Sequence, residues 1–582
     1  MKKIAVILII IALSIAAKAQ TEIHSPSDPN FSMKCKTGQY LRYTITSNEE
    51  PYTVILNGIR IGSENGKKLE IPETVHYRDK DFSVTEINKE AFIGIETLSA
   101  VTIPSTVKAI GASAFKGCSA LKTIKIGGTI EQCGKNAFAA TAITKPIYNS
   151  KNLVYYPANQ KEYKINEGTE KVLEYAFSDC KELTSIVIPA SVKAIYANTF
   201  ADCDKIESIV VAEGNRSYDS RNNCNAIILT AENKIIKGCK NSSIPNGITT
   251  IGRIAFANIA IQKIDLPNTI TTIEDSAFYN TEISAITIPE ATTKIGENAF
   301  AKNKKLGVVN FNATNCETMG KEHPAFEQCQ SFTSVNFGEN VKAVPAFSFK
   351  GCVELRYATL SNKTEKIGEE AFAECTNLSY IEIPLSVQKV GGKAFYKSGI
   401  YEPIYNSNIF VYYAGEEKQY NIPDGIKIIA EKAFYENENL KTIVIPNSVT
   451  TIDDYAFNEV KNLESITIPN SVTKIGQSAF RYCTKLKSVS LPNSIKTIEK
   501  ETFMGCNDLK TIVLPNSVEN LENNIFYWCE TMESVTLPKS IKRIEKYALN
   551  GNNMKYIYIP KGTMSQFKSM LDPEYHNKLK EK

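Results

Sequence analysis

The chain has 582 residues, with 67 Lys and Arg against 63 Asp and Glu, so its formal net charge is only +4. Neither sign of charge is gathered into long blocks, which argues against a nucleic-acid-binding protein. The length far exceeds one ordinary domain of about 150 residues, but a repeated sequence can extend a single body without adding domains.

Residues 1–19 predict a secretory signal peptide. Two lysines precede an apolar run from Ile4 to Ala17, and Ala17-Lys18-Ala19 gives a small-x-small cleavage pattern before Gln20. The run is short for a membrane span, and no later stretch is long and apolar enough to cross a bilayer. We therefore expect an exported chain that is periplasmic, extracellular or at the cell surface, with no transmembrane span once it is mature.

Residues 20–74 predict an N-terminal lead-in followed by a β cap. The first part is polar, and from Gly38 to Val54 apolar and aromatic residues alternate as in a pair of strands. A cap is expected here because the open end of a repeat array exposes a cross-section of its core.

Residues 75–560 carry a repeat of 23 residues, marked by a dipeptide that is usually Ala-Phe, as at Ala433-Phe434, Ala456-Phe457 and Ala479-Phe480. A period of 20 to 30 residues predicts a solenoid, in which each unit buries its apolar face against its neighbours. The alternation Ile443-x-Ile445 predicts a short strand, which Pro446 ends because it has no N–H to donate. The phenylalanines should stack as a spine on the far side of each coil.

Three insertions interrupt the repeat and predict β-hairpins, near 146–163, 212–244 and 403–420. The first and third share the text Pro-Ile-Tyr-Asn-Ser, which places Tyr148 and Tyr405 at equivalent positions 257 residues apart. Insertions in solenoids map to one face, often the binding face, so both tyrosines are candidate binding residues. Residues 561–582 predict a C-terminal capping helix with Phe567 and Leu571 folded back.

Nine of the fourteen cysteines fall three residues after a spine phenylalanine. Parallel side chains on stacked coils do not give the torsion that a disulfide needs, so a ladder of buried free thiols is the main expectation, with bridges between neighbouring coils as the alternative. Cys224 and Cys239 lie outside this ladder and are the best candidates for a disulfide.

No catalytic motif is present, and the four histidines are scattered, so we predict neither an enzyme nor a metal or cofactor site. The run from Asp219 to Asn223 has oxygen ligands that Ca²⁺ accepts, but it lacks the EF-hand spacing and is better explained as a turn.

The exposed side of the strands offers the best candidate site. Tyr357 and Tyr380 occupy the same column on consecutive coils, beside Thr359 and Glu382. Tyrosines next to hydroxyl groups suit a carbohydrate or peptide ligand, because the rings supply contact area at low entropic cost. Cross-strand stacking of the two rings is the structural alternative.

From Leu463 through Phe480 to Cys483 the sequence follows L-x-x-I-x-I-P-x-S-V-x-x-I-G-x-x-A-F-x-x-C. This string resembles the leucine-rich repeats of the BspA-like class, also called the Treponema pallidum type. The resemblance implies a solenoid with a parallel β-sheet on one face and short helical or irregular segments on the other. It also implies a surface-associated protein that adheres to host matrix proteins or to other bacteria.

The leading hypothesis is a non-catalytic, adhesin-like binding protein that recognises a host matrix protein, a partner cell or a glycan through the solenoid surface. The alternative is a structural or assembly partner within the bacterial envelope, and the third possibility is an enzyme of unrecognised type. The ligand and the oligomeric state stay open.

Overall fold

The computed structural model describes residues 29–60, 66–157, 160–178, 180–550 and 553–582, so the predicted signal peptide lies outside the described residues. The chain divides into two compact units, Met1–Pro245 with Gly252–Ile261, and Asn246–Ile251 with Gln262–Lys582. No helix among the described residues is long and apolar enough to cross a membrane.

Strands of one coil pair with the equivalent strands of the next coil, one repeat further along the chain. Thr442 aligns with Ser465 and Ile443 with Ile466, in parallel, and the shorter strand Thr451–Ile452 aligns with Lys474–Ile475. Ile443 and Ile466 are buried, whereas the residues on either side of them face outward. The predicted solenoid with a parallel sheet is confirmed. Its other sides consist of turns and two-residue strands.

The first unit contains the strands β1 (Asn30–Lys34), β2 (Tyr40–Ser47), β3 (Thr53–Ile59), β4 (Lys68–Glu70), β5 (Thr74–Tyr77), β6 (Lys80–Ile87), β7 (Ala100–Ile103), β8 (Ala109–Ile110), β9 (Thr123–Ile126), β10 (Gln132–Cys133), β11 (Ile147–Asn149), β12 (Asn152–Tyr155), β13 (Glu162–Lys164), β14 (Lys171–Val172), β15 (Ser185–Ile188), β16 (Ala194–Ile195), β17 (Ser208–Val211), β18 (Tyr218–Asp219), β19 (Ala226–Leu229) and β20 (Lys234–Gly238). Short 3-10 segments occupy Arg221–Asn223 and Thr230–Glu232.

The second unit contains the strands β21 (Thr250–Ile251), β22 (Thr272–Ile273), β23 (Ala285–Ile288), β24 (Lys294–Ile295), β25 (Val308–Phe311), β26 (Ser334–Phe337), β27 (Ala343–Val344), β28 (Tyr357–Thr359), β29 (Lys366–Ile367), β30 (Lys389–Val390), β31 (Ile404–Tyr405), β32 (Ile409–Tyr412), β33 (Gln419–Asn421), β34 (Ile428–Ile429), β35 (Thr442–Val444), β36 (Thr451–Ile452), β37 (Ser465–Thr467), β38 (Lys474–Ile475), β39 (Ser488–Ser490), β40 (Thr497–Ile498), β41 (Thr511–Val513), β42 (Asn520–Leu521), β43 (Ser534–Thr536), β44 (Arg543–Ile544), β45 (Tyr556–Ile559) and β46 (Leu579–Glu581).

At the N-terminal end an antiparallel meander, β1–β2–β3, joins the solenoid because β3 pairs in parallel with β6. The insertions form antiparallel pairs, β11 with β12, β18 with β19 and then β20, and β31 with β32. In the first and third insertions the second strand of the pair returns to a parallel ladder, with β14 and β34 respectively.

The C-terminal segment differs from the predicted helix. The α-helix spans only Met564–Met570, a 3-10 segment follows at Pro573–Lys578, and β46 then pairs in parallel with β45. Phe567 and Leu571 are buried as expected. The last residues form a strand because β45 would otherwise leave its outer row of backbone N–H and C=O groups without partners.

The spine consists of buried phenylalanine rings stacked nearly in parallel. The Phe434–Phe457 ring centroids are 4.9 Å apart and those of Phe457 and Phe480 are 5.2 Å apart, with interplanar angles of 14° and 3°. The Phe457 N–H donates to the carbonyl of Ala479 on the next coil at 2.8 Å. Ala479 is fully buried, and a larger side chain would disturb so close an approach of the coils.

All fourteen cysteines are free and buried, including Cys224 and Cys239, so the disulfide considered for that pair does not form. The ladder cysteines donate Sγ–H to the spine carbonyl of the preceding coil, as Cys506 does to Phe480 at 3.2 Å. Where Asn303 stands in the cysteine position, its Nδ2 donates to the Phe278 carbonyl at 2.9 Å. On these coils the position supplies a small buried donor to a spine carbonyl, whereas Val460 and Ile259 fill it with apolar side chains on others.

Candidate functional site

The candidate site begins at β28, the last strand of the four-stranded parallel sheet β23–β25–β26–β28. Tyr357 and Thr359 are exposed on this strand, and Tyr357 is 67% exposed. Thr333 accepts the Tyr357 backbone N–H at 3.1 Å. The tyrosine is thus held by the ladder through its backbone while its side chain faces solvent.

One repeat later, residues 379–383 form no strand, yet the alternation of inward and outward side chains continues. Ile381 and Ile383 are buried, whereas Tyr380, at 70% exposure, and Glu382 face outward. Among the described residues no ring contact joins Tyr357 to Tyr380, so the cross-strand stacking considered above does not account for them. Both rings face solvent.

Two further exposed apolar side chains, missed by the sequence reasoning, lie on the coil of Tyr380 and on the coil after it. Leu385 is 73% exposed and Tyr401 is 80% exposed. Leu385 follows Pro384, where four late repeats have Asn after the proline, and this departure could have marked it. We call the set Tyr357, Tyr380, Leu385, Tyr401 and Tyr405 the tyrosine face; it falls on three consecutive coils.

The two hairpin tyrosines are not equivalent in the structure. The Tyr148 hydroxyl lies 2.7 Å from that of Tyr163 and accepts the Asn166 N–H at 3.1 Å. Burial and the hydrogen bond with Tyr148 raise the pKa of Tyr163. Tyr405 is 45% exposed and lies nearly parallel to Phe410, with centroids 5.9 Å apart. Tyr148 thus stabilises its hairpin, whereas Tyr405 keeps surface for a ligand.

The asparagine of the shared Pro-Ile-Tyr-Asn-Ser text explains why both insertions carry it. Asn406 Nδ2 donates to the Pro384 carbonyl of the preceding coil at 2.8 Å, and its Oδ1 accepts the backbone N–H groups of Asn408 and Ile409. Asn149 Nδ2 donates in the same way to Gly128. A buried amide fixes each hairpin to the coil before it.

Hydrogen bonds within the protein hold the oxygen-rich run that begins at Asp219. Arg221 donates to both carboxylate oxygens, at 2.7 and 2.6 Å, and Thr230 donates at 2.8 Å. These hydrogen bonds help to keep the pKa of Asp219 below its ordinary value despite burial, which acts in the opposite direction. The described residues contain no group of three His, Cys, Asp or Glu that could hold a metal ion. The run serves as a structural turn.

A family model described as a BspA-type leucine-rich repeat region matches the chain in six copies, at residues 85–160, 150–237, 233–323, 322–415, 406–532 and 496–572. None of the curated proteins matches. A leucine-rich repeat protein from Bacteroides ovatus is 20% identical over 93% of this chain and 98% of that chain, with a TM-score of 0.31.

A leucine-rich repeat protein from Eubacterium ventriosum is 19% identical over 65% of this chain and 96% of that chain, with a TM-score of 0.42. A leucine rich cell surface protein from Faecalibacterium prausnitzii is 18% identical over 94% and 98%, with a TM-score of 0.23. Leucine-rich repeat families of this kind generally bind proteins and are generally non-catalytic. Because the six matched copies cover most of its length, the chain belongs to the BspA-type leucine-rich repeat family.

Proposed function

We propose that the protein is an exported, non-catalytic, adhesin-like binding protein that recognises its ligand through the tyrosine face. The observation that carries this proposal is the run of exposed apolar side chains on three consecutive coils, where Tyr357, Tyr380, Leu385 and Tyr401 are each at least 67% exposed. Soluble proteins seldom expose apolar patches of this kind unless they bind something.

The chemistry of the face suits recognition. Tyrosine rings bury large areas while losing little rotamer freedom, and their hydroxyls accept or donate hydrogen bonds. Thr359 and Glu382 alternate with these rings on the exposed side and supply further polar partners. Neighbouring coils in a parallel ladder stand about 4.8 Å apart, so an extended ligand can engage several of them through weak contacts that add up.

Similar proteins support a location outside the cytoplasm. One is a cell surface protein from Faecalibacterium prausnitzii, and another is the pneumococcal vaccine antigen PcpA, 15% identical to this chain. Together with the predicted signal peptide, they favour display at the cell surface, where a host matrix protein, a partner cell or a glycan is the ligand.

The test is binding of residues 20–582 to a panel of matrix glycoproteins, mucins and arrayed glycans. We expect selective binding that Tyr357→Ala combined with Tyr380→Ala abolishes. Tyr196→Ala is the matched control, because Tyr196 is also an exposed tyrosine but lies in the first unit. Equal binding by the double variant and the wild-type chain would refute the site. Binding only to components of the same cell envelope would instead favour a structural or assembly role.

A further inference from the structure

We propose that Trp528, with Tyr482 and Tyr527, forms a carbohydrate-binding platform that stacks against the apolar C–H face of a neutral pyranose ring. The platform lies on the turns between spine and strand, away from the tyrosine face, and does not depend on the function proposed above. Trp528 is the only tryptophan of the chain, and 45% of it is exposed.

The backbone at the second residue after each spine phenylalanine does not favour a large side chain. This position is left-handed on successive coils, with φ of 57° at Tyr482, 72° at Gly505 and 61° at Trp528. Glycine fills it on several coils, as at Gly94, Gly117 and Gly351. A bulky side chain is disfavoured in this conformation, so local backbone preference does not explain a tryptophan here.

The three aromatic rings lie close together and nearly parallel. Trp528 lies 4.9 Å from Tyr527 and 6.2 Å from Tyr482 between centroids, with interplanar angles of 25° and 23°. Tyr482 approaches from two coils away because Gly505 stands between them. A Cβ at Gly505 would fall 2.3 Å from Cδ1 of Tyr482, so only glycine leaves room for the ring.

A polar edge borders the rings. The Arg481 guanidinium lies over the Tyr482 ring at 4.8 Å, and its Nη2 is 3.5 Å from the Tyr482 hydroxyl. Its Nη1 lies 3.5 Å from a carboxylate oxygen of Glu501. Both contacts are at the long limit of hydrogen bonding, and a guanidinium carries five N–H donors. Donors therefore remain for the hydroxyl oxygens of a ligand.

A sugar matches this arrangement better than a peptide does. A pyranose ring has an apolar face for the tryptophan and hydroxyl groups around its rim for Arg481. Proline-rich peptides dock between aromatic ridges that form a groove, whereas the rings here form one cluster beside a charged pair. The fixed backbone of stacked coils also lowers the entropy lost when a ligand is bound.

The sole tryptophan makes the test direct, because its emission reports only this platform. Residues 20–582 are titrated with maltotriose, cellotriose, triacetylchitotriose and lactose, each up to millimolar concentration. We expect at least one of them to give a saturable change in Trp528 emission. Calorimetry with that saccharide should show binding weakened roughly tenfold or more in Trp528→Gly.

Trp528→Gly is chosen because glycine already occupies this position on other coils with the same sign of φ, so the fold should be kept, as thermal unfolding checks. Tyr357→Ala serves as the control and should bind the saccharide as the wild-type chain does, which separates this platform from the tyrosine face. The proposal is overturned if none of the four saccharides changes the emission, or if Trp528→Gly binds normally. Saturation by a polyproline peptide alone would also overturn it.

Discussion

Phe457→Ala tests the spine most directly. Phe457 is fully buried and stacks on Phe434 at 4.9 Å and on Phe480 at 5.2 Å. Deleting a buried ring typically lowers the free energy of unfolding by about 3–5 kcal/mol, which combines lost transfer energy with the cavity left behind. The two stacking contacts, each about 0.5–1.5 kcal/mol, are contained within that range. Because both neighbours stay in place, we expect a loss near its upper end.

The loss should be local, since each repeat of a solenoid contacts only its neighbours. Amide hydrogen exchange followed by mass spectrometry is therefore the assay. The coils that contain Phe434, Phe457 and Phe480 should exchange faster, and peptides from the first unit should not change. Val513→Ala, at an exposed strand position, is the control and should change stability by no more than about 0.5 kcal/mol. Unchanged exchange around Phe457 in the alanine variant would refute the idea that the spine holds these coils together.

Three further predictions concern the thiol ladder, the surface ion pairs and the hairpin anchor. Burial raises the pKa of Cys529 from 9.0 to about 12, so the folded chain holds the thiol proton more tightly than the unfolded chain does. Unfolding titrations should show that the contribution of this thiol to stability is complete below pH 9 and is lost as the pH rises towards 12. Glu519 lies within 3.1 Å of Lys496 and 2.6 Å of Lys542, and both lysines lower the pKa of its carboxyl group. The small contribution of these ion pairs to stability should be present at neutral pH and fall as acid protonates Glu519. In thermal unfolding scans it should disappear in Glu519→Gln or at high salt. Asn406→Ala removes the amide that anchors the hairpin and should lower local stability by about 1–3 kcal/mol, seen as faster hydrogen exchange across 403–413, and unchanged exchange there would show that the anchor is dispensable.

The sequence could predict the coil because every interaction that shapes it recurs at the repeat interval. A strand at Ile443 pairs with its copy at Ile466, and a spine ring stacks on its copy, so the 23-residue period carries the tertiary contact within the sequence itself. The regular cysteine position was readable in the same way. Its partner, the spine carbonyl of the preceding coil, became visible only when the coils were stacked.

Contacts that do not repeat could not be predicted from the sequence. The C-terminal residues have a helical pattern, yet β46 forms because the edge of β45 is open to it. Tyr148 and Tyr405 share the same local text, but a hydroxyl from Tyr163 engages only the former. The sequence predicted only part of the tyrosine face, because Leu385 and Tyr401 stand outside the strand column that contains Tyr357 and Tyr380.

By itself the sequence determined the repeat, the direction of its strands and the buried spine. The reason is that a periodic apolar pattern excludes water when each repeat stacks on the next. Only the tertiary structure decided which exposed rings come together. Tyr482 and Trp528 are two repeats apart and meet because Gly505 leaves the space between them empty. That contact depends on an absent side chain in the intervening coil, and it has no counterpart in the local pattern of either residue.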